Sequence, residues 1–459
     1  MQQIDTYYFL GIGGIGMSAL ARYFAAKGSR VLGYDRTPSP LTQTLETEGI
    51  QVQYDDSLEI VKELNKATTV VVRTPAVPED MAVYVWLREQ GFRILKRAEI
   101  LGIVTRSERA LCVAGTHGKT TTSTMLAHIL HQSHVGANAF LGGIANNYST
   151  NLLLDASKNV VVEADEFDRS FHHLTPYMSV ITSMDPDHLD IYGTEEAYCK
   201  SFEKYAGLVE KALVVKRGLE LNAESLKAKV YTYAVNEESD FYATNVRITD
   251  GEIWFDFHTP EHVVKDVQLG VPVWVNIENG VAAMAVAWLM GATDEELKAG
   301  MSSFLGVYRR FNIHVNTPNV AYVDDYAHHP MELKACIESV RRLYPKRYVI
   351  GVFQPHLFSR TKDFVDGFAT VLSELDEAVL LPIYPAREKP IEGVTSEWLM
   401  EKIQAKRALV LPSILPKYLC ERAKSCVAQG KDCVVITMGA GDIDRHVKDI
   451  KKALQNINL

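Results

Sequence analysis

The stretch Leu111-Cys112-Val113-Ala114-Gly115-Thr116-His117-Gly118-Lys119-Thr120-Thr121-Thr122 decides how this chain is read. Four apolar residues suit a buried strand, a glycine-bounded turn follows, and Met125, Leu126, Ile129 and Leu130 then recur at helical spacing. A strand that turns through glycines into a helix gathers bare backbone N–H groups and a helix N-terminus at one point, which is an anion site. Lys119 adds a point charge for phosphate oxygens, and the Thr120 hydroxyl suits a magnesium ion. Val113 stands where the general nucleotide loop has its first glycine, so the match is to a shortened form, Gly-Thr-His-Gly-Lys-Thr. A merely solvated lysine after a glycine turn would need no such register of strand, glycines, lysine and threonine.

Outward from that loop, two strand ends carry the polar groups expected to face it. Asn159-Val160-Val161-Val162 runs into Glu163-Ala164-Asp165-Glu166-Phe167-Asp168, an apolar strand ending in carboxylates where a magnesium ligand sits in nucleotide folds. The plain alternative is a solvated acidic loop. Met178–Thr182 then leads into Ser183-Met184-Asp185-Pro186-Asp187-His188-Leu189-Asp190. A lone histidine is usually structural, but His188 ends a strand of the same sheet among aspartates, which favours a metal role.

A second glycine loop opens the chain. Tyr7–Leu10 enters Gly11-Ile12-Gly13-Gly14-Ile15-Gly16, a helix with Ala19, Leu20 and Phe24 follows, and Arg30–Tyr34 ends in Asp35. This is the dinucleotide-fold fingerprint, with an acidic residue placed for a ribose hydroxyl. Alone it is a weak sign of a nicotinamide dinucleotide, since the same loop cradles any diphosphate, including that of a nucleotide sugar, and glycines there also serve plain close packing. Strands near Val70–Val72 and helices near Met81–Gln90 and Arg97–Val104 continue a parallel α/β pattern that ends at the polar stretch Thr105–Glu108.

Beyond Glu210, Val230–Ala234, Ala243–Ile248, Glu252–His258 and Val263–Leu269 read as short strands forming an antiparallel patch. Asn276 and Asn279 open an apolar helix, where side-chain amides are usually caps. Past Arg309-Arg310-Phe311 the alternation resumes. Val320–Val323 precedes Asp324-Asp325-Tyr326-Ala327-His328-His329-Pro330, and Arg347–Phe353 precedes Gln354-Pro355-His356-Leu357-Phe358-Ser359-Arg360-Thr361. Cys433–Thr437 runs into Met438-Gly439-Ala440-Gly441-Asp442-Ile443. Polar clusters at successive strand ends of an open α/β sheet mark a ligand crevice.

Composition sets the bounds. A chain of 459 residues predicts two to four domains, and 47% hydrophobic with 23% charged residues is ordinary for a globular protein. A net charge of −9 argues against a nucleic-acid partner. Met1–Asp5 has neither a basic nor an apolar segment of a leader peptide, and no apolar run reaches membrane-spanning length, so no membrane partner is expected. Six scattered cysteines without a Cys-x-x-Cys read as thiols in a reducing compartment, which points to the cytoplasm.

Taken together, Gly11–Gly16, Gly115–Thr122, Glu163–Glu166 with Asp168–Phe171, Asp187–Asp190, Asn276 and Asn279, Asp324–Pro330, Gln354–Thr361 and Gly439–Ile443 make the chain resemble, over nearly its whole length, the Mur ligases of peptidoglycan precursor synthesis. Within that family it resembles the branch that adds L-alanine. The resemblance implies three α/β domains. They are an N-terminal Rossmann-like domain for the UDP-sugar (1–107), a central P-loop ATPase-type parallel sheet with the antiparallel patch (108–312), and a C-terminal Rossmann-like domain for the amino acid (313–459). It implies ATP and Mg2+ as cofactors and UDP-N-acetylmuramic acid and L-alanine as substrates, in a monomer or weak homodimer.

The site residues it implies are these. Gly115, Thr116, His117, Gly118, Lys119, Thr120 and Thr121 hold the nucleotide, Asn279 reads the adenine, and Arg310 and Asp325 contact the nucleotide. Thr120 with Glu163, and separately His188, hold metal. Gly11, Gly13, Gly14, Ile15, Gly16, Asp35, Asp168 and Ser170 serve the UDP-sugar, and His329 and Arg360 orient carboxylates of alanine and substrate. Lys119, Glu163, His188 and Arg360 carry the chemistry. Val275 stands where the family often has a histidine, and Leu357 where many relatives have an arginine. The rivals are a recycling ligase that attaches a ready-made tripeptide, an NAD-dependent oxidoreductase, and a non-catalytic nucleotide-sugar sensor.

Overall fold

A computed structural model describes residues 4–187, 189–221, 226–249, 252–386 and 388–457. Its described strands form three sheets. The first contains β1 (Thr6–Leu10), β2 (Arg30–Tyr34), β3 (Gln51–Gln53), β4 (Thr69–Arg73) and β5 (Arg93–Lys96), in the order β3-β2-β1-β4-β5 with every pair parallel. β1 and β4 are apolar runs rather than alternating ones because helices cover both faces of a parallel sheet. The helix Ile15–Ala26 starts at Gly14 without a side-chain cap, leaving its first N–H groups for a ligand.

The second sheet has ten strands. They are β6 (Arg109–Ala114), β7 (Asn138–Ala145), β8 (Thr150–Leu153), β9 (Asn159–Ala164), β10 (Pro176–Ile181), β11 (Ala212–Lys216), β12 (Lys229–Val235), β13 (Phe241–Thr249), β14 (Glu252–His258) and β15 (Val263–Leu269). Their order is β15-β14-β13-β12-β11-β10-β6-β9-β7-β8. β6 lies between β9 and β10, parallel to both, with Ala114 level with Ala164 and Ile181. That register delivers the segments after Ala114, Ala164 and Ile181 to one edge. β13, β14 and β15 are successive sheet neighbours joined by links of two and four residues and make up the antiparallel patch. Val230–Ala234, expected in that patch, instead lies in β12 and pairs parallel with both β11 and β13, extending the parallel part of the sheet by one strand.

The third sheet contains β16 (Asn312–Asn316), β17 (Val320–Asp325), β18 (Tyr348–Phe353), β19 (Glu377–Leu380), β20 (Lys406–Leu409) and β21 (Cys433–Met438), in the order β16-β17-β21-β18-β19-β20. Only β16 pairs antiparallel among the described strands of this sheet. The chain divides into two compact units. One comprises Met1–Ile248, Trp254–Gly270 and Ile277–Leu305, and the other Thr249–Ile253, Val271–Asn276 and Gly306–Leu459.

Within the first unit the first two sheets share one buried apolar cluster. It runs from Phe9, Leu20 and Val72 through Ile100 and Val104 to Val162, Phe171 and Tyr205. The helix Arg97–Ser107 lies against the 3-10 segment Phe167–His173 so closely that a Cβ at Gly102 would sit 2.3 Å from the His173 carbonyl oxygen. Only glycine fits there. The apolar helix predicted from Asn276 starts two residues earlier, at Trp274, and runs to Leu289.

Candidate active site

The phosphate loop takes the predicted form. β6 ends at Ala114, and the helix Lys119–Gln132 begins after Gly118, which is left-handed at φ 81° and gives no side-chain cap. The first-turn N–H groups are therefore left to a ligand. The turn is fixed from the neighbouring strand end. The His117 N–H donates to Ser183 Oγ (2.8 Å), and Thr182 Oγ1 donates to the carbonyls of Ala114 (3.1 Å) and His117 (2.5 Å). Thr116 Oγ1 donates to the Asp185 carbonyl (2.7 Å) and lies 2.8 Å from the Tyr198 hydroxyl. From the helix Trp274–Leu289, Asn279 Oδ1 accepts from Thr122 Oγ1 at 3.2 Å and stands against Gly118. Thr121 is half-buried in the first helical turn.

Lys119 and Thr120 reach opposite members of the acidic strand end. Thr120 Oγ1 donates to Glu163 Oε1 at 3.1 Å. The Lys119 ammonium donates to Glu166 Oε1 (2.9 Å), with Oε2 at ion-pair distance (2.7 Å), and to the carbonyls of Gly115 (2.6 Å) and Thr116 (3.2 Å). Burial pushes the Glu166 carboxyl up, to about 7, even though Lys119 pulls it down. Burial would lower the Lys119 ammonium, but Glu166 and Glu163 outweigh it and the net shift is upward. Glu166 belongs to the acidic cluster visible in the sequence, yet nothing there says which carboxylate meets the lysine. Its place three residues past Glu163, where the strand gives way to a turn, is the only signal. Gly142 on β7 faces Glu163, and a Cβ there would come within 1.9 Å of Glu163 Oε2. His188 lies outside the described residues.

At the first glycine loop, Asp35 Oδ2 accepts from the Gly13 N–H at 2.7 Å, and Oδ1 from the Thr37 N–H at 3.3 Å. Asp35 thus holds the turn itself as well as standing at the ribose position. Gly11 and Ile12 donate to the Tyr34 carbonyl (2.7 and 2.9 Å), and Gly14, Ile15 and Gly16 lead into the helix. A cavity of about 300 Å³ connects this loop with the acidic cluster. Gly14, Ile15, Gly16, Arg97, Glu163 and Asp165 are among its walls. Arg97 pairs with Asp165 (3.2 Å) and Lys96 with Asp168 (3.2 Å), tying the two together. Asp168 is left-handed at φ 50° and exposed, and Ser170 is half-buried two residues on. No motif marks Arg97, because a lysine-arginine pair before a helix reads as solvated charge.

In the second unit the residues predicted at the ends of β17 and β18 divide into two groups. Asp325 accepts from the N–H groups of Phe311 and Ala327, both at 2.7 Å, and burial raises its carboxyl to about 6 against the pull of Arg310. Arg310 stacks on Tyr326, 5.2 Å from the ring centre. Arg360 Nη1 lies 3.4 Å from His356 Nδ1, His356 stacks on Tyr384 (5.7 Å), and His328 is 6.2 Å from His356 edge to face. Burial first, then Arg360, lowers His356 to about 4. His329 instead caps the helix Pro330–Leu343 and meets Phe364 edge-on at 4.6 Å. Leu357, between His356 and Arg360, is held at φ 72° and ψ 137°, which a side-chain-bearing residue rarely adopts.

No group of three or more His, Cys, Asp or Glu side chains able to hold a metal appears among the described residues. The Thr120 hydroxyl and Glu163 carboxylate nevertheless form an all-oxygen pair beside the phosphate loop, the donor type that magnesium takes when phosphates complete its shell.

These features define an α/β nucleotide-binding enzyme of the phosphate-loop type, with a second glycine loop sharing a cavity with its acidic cluster. The chain belongs to the Mur ligase family. Residues 6–109 match the Mur ligase family catalytic domain, 113–287 the Mur ligase middle domain, and 309–441 the Mur ligase glutamate ligase domain. It is 55% identical over 462 residues to UDP-N-acetylmuramate–L-alanine ligase of Parabacteroides distasonis, covering 99% of this chain and 98% of the relative. The same enzyme of Porphyromonas gingivalis is 52% identical, covering 98% and 99%. Among solved structures, the UDP-N-acetylmuramate–alanine ligase of Thermotoga maritima matches at TM-score 0.79 and 25% identity, over 97% and 98% of the two chains. The murein peptide ligase of Psychrobacter arcticus matches at TM-score 0.67 and 22% identity, over 99% and 100%, which speaks to the fold alone. No helix among the described residues is long and apolar enough to cross a membrane.

Proposed function

We propose that this chain joins L-alanine to the lactyl carboxylate of UDP-N-acetylmuramic acid, with cleavage of ATP to ADP and phosphate and an acyl phosphate between the two steps. The observation that carries this reading is full-length identity of 55% to an enzyme of that name. The tripeptide-recycling alternative is not favoured, since its representative is the more distant structure. The oxidoreductase alternative leaves Lys119, Glu163 and His188 without a task.

The chemistry follows from charge. A carboxylate is a poor electrophile, so one of its oxygens first attacks the γ-phosphorus of ATP and ADP leaves. The alanine amine then attacks the acyl carbon, phosphate leaves, and the amine proton passes to solvent. No protein nucleophile is needed. The difficulty is bringing anions together, which positioned cations and backbone dipoles overcome. The N–H groups of Gly115–Thr121 cradle the phosphates and Lys119 spans the β and γ groups. Asn279, at the base of the loop, reads the adenine, and Arg310 and Asp325 serve the nucleotide. Thr120 and Glu163 would hold a magnesium ion, and His188 would hold a second. When bound, the metal neutralises the phosphate charge that would otherwise repel the carboxylate. Gly11–Gly16 with Asp35, Asp168 and Ser170 hold the UDP-sugar, and the cavity between glycine loop and acidic cluster is the passage its lactyl arm takes toward Lys119. Arg360 and His329 orient carboxylates in the C-terminal domain, where a guanidinium makes the two-pronged contact a carboxylate prefers. The domains extend over 1–107, 108–312 and 313–459. The reaction belongs to the cytoplasm, where ATP is available.

The test is phosphate release with ATP, magnesium and UDP-N-acetylmuramic acid, adding L-alanine or the cell-wall tripeptide in turn. Release with L-alanine is expected. Release only with the tripeptide overturns the amino-acid assignment and leaves the ATP site standing. In parallel, Lys119→Ala abolishes turnover while UDP-sugar binding survives. Loss of both would mean that the two glycine loops are exchanged in role.

A further inference from the structure

A lysine ammonium has three protons to donate. In Lys119 they are all committed to the protein, through the Gly115 and Thr116 carbonyls and the Glu166 carboxylate. The two carbonyls belong to the loop that forms the anion site and cannot leave it. Glu166 is different. It is a side chain, 2% exposed, anchored through its backbone carbonyl by the Tyr192 hydroxyl at 2.5 Å and by the Arg169 N–H at 2.9 Å. Its carboxylate takes the one ammonium contact that is not made to the loop itself. A buried ion pair of this kind contributes little net stability, because both charges have been taken out of water. The described residues give Glu166 no other cation within hydrogen-bonding distance, so its side chain is committed to this one lysine.

We propose that Glu166 acts as a built-in surrogate anion that competes with the nucleotide's phosphates for Lys119. It holds the lysine inside the loop when no nucleotide is bound, yields it to the β and γ phosphates, and recaptures it as ADP departs. Nucleotide affinity is thereby set below what the loop alone would give, in exchange for product release. Glu166 is a positioning residue, acting on the phosphates only through Lys119. The inference rests on the assignment of Lys119 to the triphosphate made above.

The experiment is calorimetric titration of the full-length chain with magnesium-ATP and magnesium-ADP, alongside steady-state kinetics. Glu166→Gln keeps the size and one acceptor oxygen but removes the charge. It is expected to bind both nucleotides on the order of tenfold more tightly, equivalent to about 1.4 kcal/mol, with KM for ATP falling and kcat falling as ADP leaves more slowly. Tyr192→Phe, which loosens the segment carrying Glu166 without touching its carboxylate, is expected to move affinity the same way, about two- to threefold. Unchanged or weaker nucleotide binding in folded Glu166→Gln overturns the inference. Should that variant not fold, unchanged binding in Tyr192→Phe does so. Lys119→Ala separates the layers. If it binds nucleotide as the parent chain does, the loop assignment itself is wrong. If it loses binding while Glu166→Gln gains none, only the surrogate-anion role fails.

Discussion

Replacing Gly142 with alanine adds one methyl group, and the structure states what that group meets. The new Cβ would lie 1.9 Å from Glu163 Oε2, 2.7 Å from Cδ and 3.0 Å from Oε1. No carbon and oxygen sit that close, so Glu163 has to swing away and its 3.1 Å contact with Thr120 is broken. The fold tolerates this. The obstructing atom is the tip of a flexible side chain, Gly142 is exposed at its strand position with φ outside the left-handed region, and alanine in a strand is favoured over glycine by about 0.5–1 kcal/mol. Stability should therefore change by less than about 1 kcal/mol. Catalysis does not tolerate it. A displaced Glu163 withdraws an oxygen from the proposed magnesium site, and losing one positioned group that stabilises transition-state charge costs about 10²–10³ in kcat, or roughly 2.7–4 kcal/mol. The assay is phosphate release at saturating substrates, set beside thermal melting and UDP-sugar binding. Gly142→Ala should lose most of its turnover, approach Glu163→Ala, and melt like the parent chain. Turnover within threefold of the parent would refute the placement of Glu163 at the reacting phosphates.

Three other expectations follow from individual residues. At Leu357, held at φ 72°, alanine loses side-chain burial and keeps the backbone strain, whereas glycine relieves strain of about 1–3 kcal/mol; chemical denaturation should find Leu357→Gly more stable than Leu357→Ala by roughly 1 kcal/mol, the reverse of the usual order. His128 is buried between Tyr148 and Ser303 and, by burial and then by His131, lowered to about 4. The native state thus binds its proton less readily than the unfolded chain does, so this contribution is complete above about pH 6.5 and is lost as pH falls toward 4; His128→Gln should flatten the acid limb of the stability profile. Asp325 behaves oppositely. Raised to about 6 by burial, it favours the protonated native state, so its contribution turns destabilising as pH rises from about 4 to 6, and the stability of Asp325→Asn relative to the parent chain should improve over that interval.

What could be read in advance was whatever local chemistry decides. The strand–glycine–helix order at Leu111–Thr122, the alternation of Glu252–His258 and the apolar runs at Val70–Val72 and Val160–Val162 are short-range patterns, and each produced the element expected of it. What stayed hidden was pairing across sequence distance. Glu163 and Glu166 are equivalent to the eye in Glu-Ala-Asp-Glu, and only the register of β9 beside β6, with Glu163 level with Val113, sends one to Thr120 and the other to Lys119. By its spacing Asp35 suits a ribose, yet it also takes the Gly13 N–H, because the turn brings that amide to the end of β2. Arg97 and Gly102 were invisible for a related reason, since their meaning lies in the segment Asp165–His173 of another sheet.

That last closeness bears on how the molecule comes apart. A helix pressed bare-backboned against the neighbouring sheet, over an apolar interior that passes unbroken from Phe9 to Tyr205, leaves no seam along which the glycine-loop sheet could melt and leave the phosphate-loop sheet standing. Two segments that would be cut apart as separate modules are thus expected to behave as a single foldon, with slow amide exchange rising and failing together across residues 6–216. An inhibitor gripping the sugar-nucleotide crevice would then stiffen the ATPase through the shared interior, and an excised N-terminal fragment would expose the greasy face of Ile100 and Val104 and precipitate rather than fold.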